Sequence, residues 1–187
     1  MSNVNTDDTP VELAILPDWS QAVEVQIQFS TAVQRSWSGR DQRSRKREKP
    51  LKIQRYNHTG LTEQEARSRL LALKEESRQP VYTPFWADGI PIAVMPTAND
   101  LTLDVAPIEG EWDNLDKVYI WDEVNGGEFR DLTSVIARDL VLGGTGTIYP
   151  AGAFVFPCPK QVREPGETMI QRNDILDGNE IVVFRTL

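Results

Sequence analysis

The stretch Val23-Glu24-Val25-Gln26-Ile27-Gln28-Phe29 places an apolar side chain at every odd position and a polar one between each pair. Successive side chains of a strand point to opposite faces, so this alternation predicts a β-strand with one buried and one wetted face. The same period returns further along the chain. Leu51 and Ile53 are spaced by Lys52 and Gln54, Leu101, Leu103 and Val105 by Thr102 and Asp104, and Val118 and Ile120 share one face of residues 117–121. Asn125-Gly126-Gly127 is a short-range turn signal that joins this last segment to another strand around residues 128–132. Residues 81–86 read as a strand ending in a rigid aromatic corner, with a turn at Asp88-Gly89, and further strands are expected near 135–142, 146–156 and 180–185. Repeated short strands separated by turn residues predict a mainly β fold, an antiparallel β-sandwich or an open barrel, rather than βαβ units.

One segment breaks the pattern. After a turn cluster at Asn57-His58-Thr59-Gly60, Thr62 and Glu65 form a capping box, and Ala66, Leu70 and Leu73 then fall on one helical face. Glu63 with Arg67 and Glu65 with Arg69 are favourably ordered i,i+4 pairs, so one amphipathic helix is expected over about residues 62–77, stopping before Pro80. Residues 1–17 are polar, acidic and proline-punctuated, and are expected to form an extended N-terminal arm. Residues 18–187 are then one β-rich domain, with a sub-module from about residue 88.

The composition narrows the function classes. No apolar run approaches the roughly 20 residues that span a bilayer, and the start carries no basic segment of a secretory signal, so synthesis and folding are expected in the cytoplasm. A single cysteine, Cys158, excludes an internal disulfide framework, and its Phe-Pro-Cys-Pro setting suggests a packed small hydrophobe. With one histidine and one cysteine, a zinc-finger site or a Ser-His-Asp triad would depend on His58 or Cys158, so no catalytic centre, metal site or other cofactor is expected. The loop Gly143-Gly144-Thr145-Gly146-Thr147 resembles a phosphate cradle only superficially. Such a cradle needs a following helix to supply aligned amides, and Ile148-Tyr149-Pro150 is strand and turn material.

Charge is segregated along the chain. Residues 35–55 hold nine basic and two acidic side chains, a local +7 that leaves −15 for the remainder of a chain whose net charge is −8. Nucleic acid could meet such a run through phosphate contacts, but the acidic remainder would repel a polyanion. Basic-to-acidic contact between subunits suits both signs better. The expected interface residues are Arg40, Arg43, Arg45, Lys46, Arg47 and Lys49. Of the five tryptophans most are expected as core anchors, and Trp112, inside the acidic Gly110-Glu111-Trp112-Asp113 segment, is the candidate for a contact with a neighbour. A carbohydrate- or host-surface-binding module using Trp112 and Trp121, and a nucleic-acid-binding assembly factor using residues 35–55, are the alternative readings.

The segments Trp37-Ser38-Gly39-Arg40-Asp41-Gln42-Arg43, Arg47-Glu48-Lys49-Pro50 and Gln79-Pro80-Val81-Tyr82-Thr83-Pro84-Phe85-Trp86-Ala87-Asp88, set around a strand and a capped helix, resemble tail proteins of long-tailed bacteriophages. The later Gly146-Thr147-Ile148-Tyr149-Pro150-Ala151 is similar to a short segment in the same proteins, so the resemblance covers about residues 17–156. It implies a virion structural protein of the distal tail or tail tip, built from β domains and assembled in the host cytoplasm. Its implied partners are further copies of itself in a ring, the tube, hub and tip proteins, and at most DNA in the tail channel. It implies no catalytic residues and no membrane partner.

Overall fold

Two strand systems share one chain. The computed structural model describes residues 11–29, 31–35, 41–45, 50–61, 80–108, 112, 115–163, 169–172 and 178–186. An open sheet is built from β1 (Val11–Glu12), β2 (Glu24–Gln28), β5 (Leu51–Leu61), β6 (Val81–Tyr82), β13 (Lys160–Arg163), β14 (Met169–Arg172) and β15 (Gly178–Thr186). Its order is β1-β6-β13-β15-β5-β2, with β14 paired to β15, and every pairing is antiparallel except that of β1 with β6. Between β6 and β13 the chain forms β7 (Ile90–Thr97), β8 (Asp100–Leu103), β9 (Lys117–Asp122), β10 (Gly126–Ile136), β11 (Asp139–Leu142) and β12 (Phe154–Pro157). These close into an antiparallel barrel in the order β10-β11-β8-β7-β12-β9. The fold is thus mainly β, and the barrel is closed rather than open, which leaves it no exposed strand edge. No described helix is long and apolar enough to cross a membrane.

Alternation explains how β9 serves two cores at once. Val118 and Ile120 point into the barrel with Ile92, Leu101, Leu103, Leu140 and Val155, while Tyr119 and Trp121 point out. Outside the barrel wall a second core gathers Tyr119, Phe156, Cys158 and Trp86 with Ile15, Tyr56, Val81 and Val182 of the sheet and its head. Cys158 is fully buried there, and burial pushes its thiol well above the usual range.

The corner between sheet and barrel is tied by two buried amides. Gln54 Nε2 donates to Pro84 O at 2.9 Å and to Gln161 Oε1 at 3.1 Å, Gln161 Nε2 donates to Thr83 O at 3.1 Å, and Trp86 N donates to Gln54 Oε1 at 3.3 Å. Gln54 and Gln161 are therefore buried because each satisfies backbone that the irregular residues 83–85 leave unpaired.

Several local expectations are corrected. Residues 57–60 are not a turn, because β5 continues to Leu61 paired with β15, with Asn57 opposite Ile181, His58 opposite Glu180 and, past a register shift, Leu61 opposite Gly178. The segment 135–142 is two strands, since Ala137 adopts φ 55° and turns the chain between β10 and β11. Residues 146–153 form no strand, and only Phe154–Pro157 of that stretch pairs. The extended arm expected to residue 17 is packed from residue 11 onward: Val11 pairs with Val81, Leu13 N donates to Tyr82 O, and Ile15 is buried. The helix expected over 62–77 lies outside the described residues.

Candidate assembly surface

Strand β2 lies at one end of the open sheet and, among the described residues, pairs only with β5. Directly opposed residues share a face, so Val25 opposite Gln54 and Ile27 opposite Lys52 continue the face on which Tyr56 meets the barrel. The barrel's cover extends only as far as the corner beneath Gln54 and Lys52, where Lys52 Nζ stands 5.1 Å over the Phe85 ring and 3.1 Å from Asp88 Oδ2. Beyond that corner the apolar row emerges into solvent. Val23 still packs on the shared core, whereas exposure climbs to 39% at Val25, 51% at Ile27 and 70% at Phe29. The alternation therefore predicts the strand correctly but not the burial of its apolar face. A row of large apolar side chains on a sheet's end strand is a surface that other protein readily covers.

A second exposed element lies beside the shared core. Asp18 N donates to Asn57 O at 2.7 Å, and the Asp18 carboxylate accepts Ser20 N at 3.0 Å and Gln21 Nε2 at 3.4 Å, building a turn against β5. The hydrogen bonds from Ser20 hold the Asp18 carboxyl below the usual aspartate range. The turn presents Trp19, 52% exposed, edge-on to Trp86 and stacked at 6.5 Å on Phe156, with Trp121 at 6.4 Å. Phe154, also exposed, stacks on Phe156 at 6.2 Å. Trp19 carries no periodicity that would mark it, which is why sequence reading passes over it.

The basic run follows β2 directly. β3 (Thr31–Arg35) and β4 (Asp41–Arg45) form a two-stranded antiparallel hairpin, with Arg43 opposite Val33 and Arg45 opposite Thr31. Arg43 and Arg45 are thus placed on β4, while Arg40, Lys46, Arg47 and Lys49 lie outside the described residues.

Trp112 requires a correction. It is 1% exposed and sits in the barrel core with Ile120, Leu140 and Tyr149, so its indole is not available to a neighbour. Its large apolar ring outweighs the acidity of its flanks in the sequence, and it packs as a core residue. Downstream, Leu115 N donates to Trp112 O at 3.3 Å.

The glycine loop presents carbonyls inward. Arg130, 4% exposed, donates through Nη2 to Gly143 O at 3.1 Å, Ala98 O at 2.7 Å and Asn99 Oδ1 at 3.2 Å, while Nη1 meets Glu128 Oε1 at 3.2 Å. Glu128 Oε1 in turn accepts Thr147 N at 2.9 Å. The loop is a clamp on a buried arginine, and no helix follows it before β12, so it lacks the aligned amides of a phosphate site. Among the described residues no group of three or more His, Cys, Asp or Glu side chains could hold a metal ion.

Electrostatics fasten the opposite end of the sheet. Tyr82 and Lys160 both meet Asp116 Oδ2, at 2.8 and 3.1 Å, and Lys117 bridges Glu12 and Asp131 at 2.8 and 2.5 Å. The two ends of the sheet therefore differ in kind, one tied to the barrel by charge and the other ending in bare apolar side chains. No protein-family model and no curated protein matches this chain.

Proposed function

We propose that the chain is a structural component of a bacteriophage tail that assembles as an oligomeric ring at the distal tail or tail tip and joins the tube to hub and tip proteins. The observation that carries this reading is the exposed apolar row of Val25 and Ile27 on the end strand β2 with Phe29 just beyond it, followed along the sequence by the basic run of residues 35–55. Exposed apolar side chains on an end strand favour covering by another chain, and closure around an axis covers every copy alike. The ordered motifs from Trp37 to Asp88 that resemble phage tail proteins give the reading its biological setting. Mass spectrometry of purified virions, with antibody labelling of the particle, tests it. The chain is expected in the virion at a fixed copy number with label at the distal tail, and its absence from virions would overturn the proposal.

The Trp19, Phe154 and Trp121 surface favours a second reading, a module that stacks on sugar rings of a host surface. Glycan-array binding that is lost in Trp19→Ala would select it, and a blank array would remove it.

A further inference from the structure

β2 is an edge without the usual guards. Among the described residues it pairs only with β5, all five of its residues are exposed, and its ladder runs from Glu24 opposite Arg55 to Gln28 opposite Leu51 without a register shift. Edge strands are ordinarily blunted by proline, by lysine, by a bulge or by being very short. Residues 23–29 contain no proline, lysine, arginine or glycine. Other edges of the molecule are handled differently: the barrel is closed, and β1, at the far end of the sheet, is two residues long. A regular five-residue edge with Val25 and Ile27 bare is a template for a further strand.

The chain itself supplies a matching strand. Glu24-Val25-Gln26-Ile27-Gln28 reads alike in both directions about Gln26, an apolar residue on either side and then a polar one. Antiparallel pairing of two copies about a two-fold axis at Gln26 sets Val25 opposite Ile27, Gln26 opposite Gln26 and Glu24 opposite Gln28. Each apolar side chain then meets an apolar one, and the only charged residue of the strand faces an uncharged amide. On its inner side Glu24 keeps Arg55 as its neighbour in β5. Among the pairings that hold both apolar rows on one face, only this register engages all five residues, and one centred on Glu24 would set two carboxylates directly opposite each other.

We infer that two copies of this chain join β2 to β2, antiparallel about a two-fold axis at Gln26, into one continuous sheet. This rests on the reading above that copies meet through the β2 row, and it adds the axis, the register and the strand that covers it. The contact is self-complementary and covers both copies alike, so the pair is a closed unit from which a larger ring is assembled.

Full-length Gln26→Cys, Glu24→Cys and Gln28→Cys variants, oxidised with copper phenanthroline, read the register. All three positions are exposed and the native Cys158 is fully buried, so the introduced thiols are the reactive ones. Position 26 meets itself across the axis, whereas position 24 lies about 13 Å along the strand from its counterpart, beyond the roughly 7 Å that a disulfide spans between Cα atoms. Gln26→Cys is expected to give a covalent dimer, and Glu24→Cys or Gln28→Cys alone about tenfold less. An equimolar mixture of those two is expected to give a dimer whose joined peptides carry positions 24 and 28. Thermal melting checks that each variant is folded, and the mixture reads the same register should Gln26→Cys melt early. Equal yields at all three positions, or peptides joined between two copies of position 24, would overturn the inference. A wild type that sediments as an oligomer and is dispersed by Ile27→Asp, with no dimer from Gln26→Cys or from the mixture, would overturn strand pairing and leave β2 as the joining surface. A monomeric wild type with no disulfide would overturn self-contact through β2 altogether, and virion composition would still decide the tail reading separately.

Discussion

The Tyr82 hydroxyl donates a 2.8 Å hydrogen bond to Asp116 Oδ2, and with it the open sheet grips the segment that enters barrel strand β9. Lys160 adds a 3.1 Å ion pair to the same oxygen while its ammonium stands 5.5 Å over the Tyr82 ring. The Tyr82 hydrogen bond first, and then the one from Lys160, hold the Asp116 carboxyl below its ordinary value of 3.8. A carboxylate with a depressed folded-state pKa contributes stability that is present above the unfolded value and lost as pH falls through the folded one. Asp116→Asn is therefore expected to flatten the acid limb of a Tm-versus-pH curve below about pH 4, and Tyr82→Phe to cost about 1 kcal/mol at neutral pH. Denaturant melts across pH check both, and an Asp116→Asn curve parallel to the wild type would count against this role.

Arg130 is buried with its guanidinium shared among the 98–99 turn, Gly143 O and Glu128. Arg130→Met is expected to cost about 3 kcal/mol, because several buried acceptors and the Glu128 carboxylate lose their donor together. Arg130→Lys should recover less than half of this, since one ammonium cannot reproduce a planar fork. Equilibrium unfolding in urea gives the ordering, and equal stability of the Lys variant and the wild type would contradict it.

Gly89 abuts the face of Phe156, and a Cβ placed on it would fall inside that ring's contact distance. Its φ of −66° is open to any residue, so the cost of Gly89→Ala is steric alone. About 1–3 kcal/mol of destabilisation is expected. Combining it with Phe156→Leu should cost less than the sum of the two single changes, because the second change makes room for the first. A strictly additive double-mutant cycle would refute the contact.

Tyr149 lies in the barrel core, where burial pushes its phenol up to about 12. A phenol whose folded-state pKa is raised favours the fold below its unfolded value near 10, and that contribution fades as pH climbs through the folded one. Alkaline melting is thus expected to begin between about pH 10 and 12, with Tyr149→Phe shifting the onset upward. An unchanged onset in that variant would assign alkaline melting to other groups.

Much of the strand pattern was legible in the residues. Val25, Ile27, Val118 and Ile120 alternate as strands do, and Asn125-Gly126 supplies turn chemistry that the β9–β10 hairpin uses. What stayed hidden depends on non-local facts. β7 contains Pro91 and Pro96, which argue against a strand, yet it pairs on both sides because register shifts against β8 accommodate the irregularity. The turn at Ala137 uses a residue with no turn preference, held by Arg138 donating to Leu103 O at 2.8 Å. The candidate surface was half legible. Segregated charge was plain from residues 35–55, whereas the bareness of the β2 row follows from where the barrel ends, which no local period encodes. Trp112 misled because its acidic neighbours point to solvent chemistry while its ring volume dictates burial.

The apolar row on β2 as the surface through which copies join is tested most directly by sedimentation velocity of the full chain beside Ile27→Asp. The account predicts a single closed oligomer for the wild type and a monomer for Ile27→Asp with its thermal melting retained. A wild type that remains monomeric at the highest soluble concentration, or an oligomer that Ile27→Asp leaves intact, would contradict it.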